Sequence, residues 1–265
     1  MQLINTQERA VIRKDFHDVW DLKMARDTLL IVPLILVVAI PVIFLTATVR
    51  VPLEHVNGIA GIMKLLPAEA KSLDVRQASL YLMTNVLFPM LFLMIPLMVS
   101  SVSAASSFVG EKERGTLETL LLTPMSLKQI FKAKVFGCVL LSASVTAVSF
   151  AAFAVVVTVG DILLRMPFFF SWSWLVLILL VAPSVTVFGV VFIVLISSKS
   201  RSYVEAVQTS GYIVMPLILL FLGEISGLFM LNALNLLLLS LVVILADCVL
   251  LHVTARSFQS EKLLK

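Results

Sequence analysis

The chain has 265 residues, 60% of them hydrophobic and only 14% charged, with a formal net charge of +4. Soluble domains average about 45–50% apolar and about 25% charged residues, so this composition excludes a water-soluble domain. The mean hydropathy of +1.07 points to an integral membrane protein.

Residues 5–26, "NTQERAVIRKDFHDVWDLKMAR", alternate charge with Val11, Ile12, Phe16, Val19, Trp20 and Met24. Ile12, Phe16, Val19 and Lys23 recur at helical spacing, which predicts an amphipathic helix on the membrane surface with Trp20 as anchor. Residues 1–27 are therefore a cytoplasmic amphipathic segment. Beyond them, no Asp, Glu, Lys or Arg occurs in residues 28–49, 77–110, 135–160, 166–198, 206–223 or 225–246. A helix needs about 20 residues to cross a hydrocarbon core of ~30 Å, and backbone groups without water must pair inside each segment. The expected fold is an all-α membrane protein with six transmembrane helices over about 28–49, 79–104, 135–158, 172–196, 206–223 and 234–255. Together these make one domain, 28–258, followed by a cytoplasmic tail, 259–265.

The first run begins only at Thr28 and lacks a small-residue cleavage site, so it reads as a span rather than a removed signal. Cys138 and Cys248 lie in apolar runs and read as small core residues. The loop 50–76 holds "GIAGIMKLLPAEAKSL", a candidate short surface helix. Span 2 contains the Met-rich "FPMLFLMIPLM", which suits either packing or a soft lining. It ends in "SSVSAASSFVG", whose small side chains permit close helix approach and continuation past the bilayer. Trp172 and Trp174 stand where an aromatic belt is expected. Glu224, Asn232 and Asn235 suggest a re-entrant segment between spans 5 and 6.

Asp247 is the one acid well inside a span. It costs roughly 2.5–3.5 kcal/mol to insert, and the twelve Leu, Val and Ile residues between Leu236 and Leu251 offset this with roughly 4–7 kcal/mol. Two readings stand: a polar point on a translocation path or ion site, or an acid snorkelling towards Arg256 or paired with another helix.

Six spans place both termini on one side, together with fifteen of the twenty Lys and Arg residues. The positive-inside rule makes that side the cytoplasm. The net charge follows from this bias and implies no nucleic acid.

"VGEKERGTLETLLLTP", residues 109–124, is the charged exception to the oily pattern. Gly110 and Gly115 have the spacing of a phosphate loop, but Thr116 and Leu117 stand where that loop requires Lys and a hydroxyl, and no strand precedes it. The motif is not a nucleotide site. Glu111 to Arg114 form a charged helix end, Gly115 permits a break, Thr116 is a suitable N-cap for "LETLLLT", and Pro124 stops that helix. Ser126 is a second cap candidate. A short helix held between two joints is a suitable lever for a cytoplasmic partner.

The stretch "EKERGTLETLLLTPMSLKQIFKAK" resembles the signature of ABC-2 type permeases, the membrane subunits of type 2 ABC exporters, with its E-x-E-x-G-T-L-E-x-L-L-x-T-P core. Over the rest of the chain the likeness is one of layout. The resemblance implies a permease that forms half of a translocation path beside a second half, identical or paralogous. Two copies of a separate ATP-binding cassette subunit would carry ATP and Mg, so this chain binds no cofactor itself. Carried onto this sequence, Glu111, Glu113, Arg114, Gly115, Thr116, Glu118 and Pro124 form the segment that couples to the ATPase subunit. It also implies a multi-pass protein of a prokaryotic cell membrane, with drug, antibiotic peptide, ion or lipid-like cargo. Polysaccharide exporters of this type differ in their N-terminal segment.

An enzyme would need a catalytic set, and the sequence has no H-E-x-x-H, no paired intramembrane aspartates, and only three dispersed His. A stand-alone secondary transporter or channel remains the alternative, although it would favour inverted repeats and several intramembrane charges.

Overall fold

The computed structural model describes residues 6–50, 73–116, 122–197, 200, 202–226 and 232–257. The candidate surface helix of 58–73, most of the short helix after Gly115, the centre of the 225–233 connection and the tail lie outside them. Among the described residues the chain is helical, without strands. We number the elements α1 (Thr6–Asp21), α2 (Lys23–Arg50), α3 (Val75–Glu113), α4 (Leu127–Leu164), α5 (Trp172–Ser197), α6 (Tyr203–Ile225) and α7 (Ala233–Ser257). Six of these, α2 to α7, are long and apolar enough to cross a membrane.

Two helices exceed a bilayer. α3 has 39 residues and α4 has 38, or about 57–58 Å at 1.5 Å per residue against a core of ~30 Å. The small-residue run at the end of span 2 therefore continues as helix into the charged motif. α4 opens with Ser126 as a true cap: its hydroxyl accepts from the Gln129 N–H, and the Gln129 side chain accepts from the Ser126 N–H.

Prolines explain three local widenings. The π-helical turns Ile35–Ala39, Met83–Leu87 and Leu177–Val181 each contain the residue four before a proline, Pro41, Pro89 or Pro183. A proline has no N–H for that carbonyl and its ring crowds it, so the turn widens.

α3 and α5 form the centre, with 72% and 61% of their apolar windows buried, whereas α6 and α7 have 17% buried each. α5 crosses α3 closely at Gly189, where an added Cβ would lie 2.2 Å from the Ser100 Oγ. Only glycine suits that position as it stands. Ser142 donates to the Pro96 carbonyl at 3.1 Å, tying α4 to α3.

Two sequence expectations change here. Trp172 is 76% exposed, but Trp174 is 1% exposed and sits among Phe92, Phe150, Phe153 and Phe169. Residues two apart on a helix face nearly opposite directions, so both Trp cannot serve one belt. Cys138 is buried as expected, but Cys248 is exposed because α7 is peripheral.

α1 lies along α4 and the end of α3. Its buried face holds Glu8, Val11, Asp15 and Val19, not a line through Phe16 and Lys23. Phe16 instead lines an apolar cavity of about 360 Å³ with Trp20, Leu29 and Val145.

Candidate functional site at the charged end of the bundle

An acid in the middle of α1's apolar stripe requires a partner, because a lone buried carboxylate is strongly disfavoured. That partner is Lys134, which is 1% exposed on the second turn of α4. Its Nζ lies 3.3 Å from Asp15 Oδ1 and 2.8 Å from Glu111 Oε2. It also donates to the Ser107 carbonyl at 2.9 Å, at the π-helical turn Ala105–Gly110. The Ser107 hydroxyl donates to Asp15 Oδ2 at 2.6 Å. Phe108 places its ring 5.6 Å from the same ammonium. Oxygen atoms of Asp15, Ser107 and Glu111 surround the ammonium, and three helices meet on one cation.

An outer rim balances the charge. Lys14 donates to Glu111 Oε1 and lies 3.7 Å from Asp18, while Arg114 lies 3.7 Å from Asp18. Three acids, Asp15, Asp18 and Glu111, thus face three bases, Lys14, Lys134 and Arg114. The three carboxylates are close enough to hold a metal ion, but the bases already supply that positive charge. Burial raises the Asp15 carboxyl above its ordinary value, opposed by Lys134 and by the Ser107 hydrogen bond. For Lys14, burial acts to lower the pKa, but the hydrogen bond and charge of Glu111 prevail and raise it.

The next acid serves a different helix. Glu113 Oε2 accepts from the Tyr203 N–H at 2.8 Å, and the Ser202 hydroxyl accepts from the Glu205 N–H at 3.2 Å. The N-terminus of α6 therefore receives an anion at its positive dipole end and a side-chain cap. Arg114 closes α3, its N–H donating to the Gly110 carbonyl. Gly115 then turns out with φ 68, a left-handed conformation that glycine adopts without penalty. The Thr116 hydroxyl donates back to the Glu111 carbonyl at 3.4 Å.

Residues 62–246, well over half of the chain, match the family model described as ABC-2 family transporter protein. The chain belongs to the ABC-2 transporter family. No curated protein and no solved structure matches it. It is thus an ABC transporter permease, a multi-pass membrane component in a family whose permeases are themselves non-catalytic.

In this ABC-2 permease the residues expected to face a partner divide into two groups. Glu111 is 1% exposed and is committed inside the chain, whereas Glu113 is exposed but holds the N-terminus of α6. Arg114 and Gly115 lie at the corner and Pro124 in the turns before α4; Glu118 lies outside the described residues. Asp247 is far from this cluster in sequence, on α7, the helix that packs on α5. It is 5% exposed, and its Oδ1 is buried without a hydrogen-bond partner.

Sequence reasoning missed Lys134, Lys14, Asp15, Asp18, Ser107 and Tyr203. Lys134 counted only as a basic residue of a cytoplasmic loop. A signal existed: Val11, Asp15 and Val19 are four apart, so an acid interrupts an apolar stripe and demands a buried base.

Proposed function

We propose that this permease is half of the translocation path of an exporter, driven by a separate ATP-hydrolysing subunit that grips the 111–134 loop. Two such subunits serve two permease halves, identical or paralogous, in a prokaryotic cell membrane with both termini in the cytoplasm. ATP and Mg belong to the partner.

The observation that carries this reading is the rooting of the loop. On one side it leaves α3 directly after Glu111 and Glu113, and on the other it enters α4 just before Lys134. Glu111 and Lys134 are bonded to each other and to α1, and Glu113 holds α6. A push on the segment between Gly115 and Pro124 therefore reaches α1, α3, α4 and α6 through short polar contacts, those of Glu111 and Lys134 buried. A solvated connector would have no use for such roots. Gly115 and Pro124 serve as joints, and the segment between them meets the ATPase. Glu111 and Glu113 act as transmitters, through Lys134 and Tyr203 respectively. Asp247 is a polar point within the membrane and a candidate for the path.

The test is purification of the tagged chain from its native membrane in mild detergent. An ATP-binding subunit at about one copy per permease supports the reading. Its reproducible absence from a stable chain contradicts it and favours a stand-alone transporter.

A further inference from the structure

The opposite end of α4 builds a second polar site. Asp161 is 5% exposed, and its Oδ2 accepts from the Phe169 N–H at 2.9 Å. Arg165, left-handed at φ 54, turns the chain so that the Met166 N–H returns to the Asp161 carbonyl at 2.8 Å. Beside this turn lies a cavity of about 150 Å³, bordered by Asp161, Thr84, Asn85, Tyr81 and Ser171. No Lys or Arg lines it, and no ion pair among the described residues involves Asp161.

Thr84 is the informative neighbour. It is 2% exposed, and its hydroxyl has no hydrogen-bond partner. A helical threonine ordinarily donates to a carbonyl one turn back, as Thr48, Thr186 and Thr254 do. Thr84 does not. It sits in the widened turn Met83–Leu87, the kind of π-helical turn that recurs at functional sites. Next to it, the Asn85 amide nitrogen donates to the Tyr81 carbonyl at 3.0 Å, leaving its side-chain oxygen as an acceptor. A purely structural Asp161 accounts for the Phe169 bond but not for the orphaned hydroxyl.

We propose that this cavity binds a small monovalent cation, either an alkali ion or a primary ammonium group. Asp161 supplies the single negative charge, with Thr84 and Asn85 oxygens as neutral ligands. One carboxylate matches one positive charge, whereas divalent calcium is held by six to eight oxygens, several of them anionic. The volume is below the roughly 300–1,000 Å³ of drug-sized ligand pockets, so the site suits an ion with a few waters. This inference goes beyond the exporter reading and stands or falls separately from it.

Trp174 is a built-in reporter, since its ring lies 5.9 Å from that of Phe169. The full-length chain carrying Trp20→Phe and Trp172→Phe, purified in detergent, is titrated with sodium chloride or methylammonium chloride. Choline chloride keeps the ionic strength constant. The expected result is a saturating change in Trp174 fluorescence with sodium or with methylammonium, and whichever saturates identifies the class of ion. Asp161→Asn keeps the acceptor for Phe169 and weakens binding by about tenfold or more, the loss of one charge-assisted contact. Thr84→Val weakens it by a smaller factor. In the unaltered chain, the same cation raises the melting temperature relative to choline, which decides the matter should a variant fail to fold. A cation-independent melting temperature, or a response undiminished in both Asp161→Asn and Thr84→Val, overturns the proposal.

Discussion

Asp15 and Asp161 are equally buried, each 5% exposed, at opposite ends of α4. Their surroundings differ completely. Asp15 meets a buried ammonium, a serine hydroxyl and a ring of compensating charges, all from this chain. Asp161 meets one backbone N–H and borders a cavity that Thr84 and Asn85 also line. The first arrangement is complete and locks helices together. The second is incomplete and asks for a positive charge from outside. Burial of a carboxylate therefore does not announce a single role; the balance of charge around it does.

The comparison breaks most readily at Lys134. Lys134→Met leaves Asp15 and Glu111 buried without their cation, and removing one partner of a buried pair costs about 3–5 kcal/mol. A fall of that size in thermal or denaturant stability of the detergent-solubilised chain is expected. Asp15→Asn combined with Lys134→Met should recover a large part of the loss. Equal damage from both variants would mean that packing, not charge balance, sets the cost.

Asp247 supplies a third case at the same 5% exposure. Its Oδ1 is buried without a hydrogen bond, and such an unsatisfied group costs about 1–3 kcal/mol. Asp247→Leu should accordingly raise stability by about 1 kcal/mol, read as a higher unfolding midpoint. A fall would show that the acid has a partner of its own.

Gly115→Ala sharpens the charged end. The left-handed backbone at φ 68 should cost about 1 kcal/mol with alanine, without loss of the Lys134 network. Smallest of all, Asp161→Asn should change stability by no more than about 0.5 kcal/mol, because asparagine still accepts from Phe169. A loss as large as that of Lys134→Met would erase the distinction between the two ends.

Much of this fold was legible because hydrophobicity dominates it: long charge-free runs are helices in a membrane, and six such helices are present. The Ser126 cap and the break at Gly115 were legible because their chemistry is local. The ion network was not. Asp15 and Lys134 are 119 residues apart in sequence, and nothing local names the partner of a buried acid. Asp161 was overlooked because a charge seemed to end the span, whereas α4 continues to Leu164. Asp247 was visible because apolar residues flank it on both sides. Glu111 and Glu113 were picked out from the motif, but as contact residues. The burial of Glu111 and the bonds of the two acids to Lys134 and Tyr203 come only from the packing of α1, α3, α4 and α6.

The central claim is that the loop acts through these internal roots. The most direct test is the ATP hydrolysis rate of the purified permease–ATPase complex in lipid vesicles, with and without Glu113→Ala. That substitution removes the α6 contact and leaves the segment between Gly115 and Pro124 unaltered. The account predicts that the partner still co-purifies while its hydrolysis rate changes by about tenfold, equivalent to ~1.4 kcal/mol of coupling. An unchanged rate in a correctly assembled complex would contradict it.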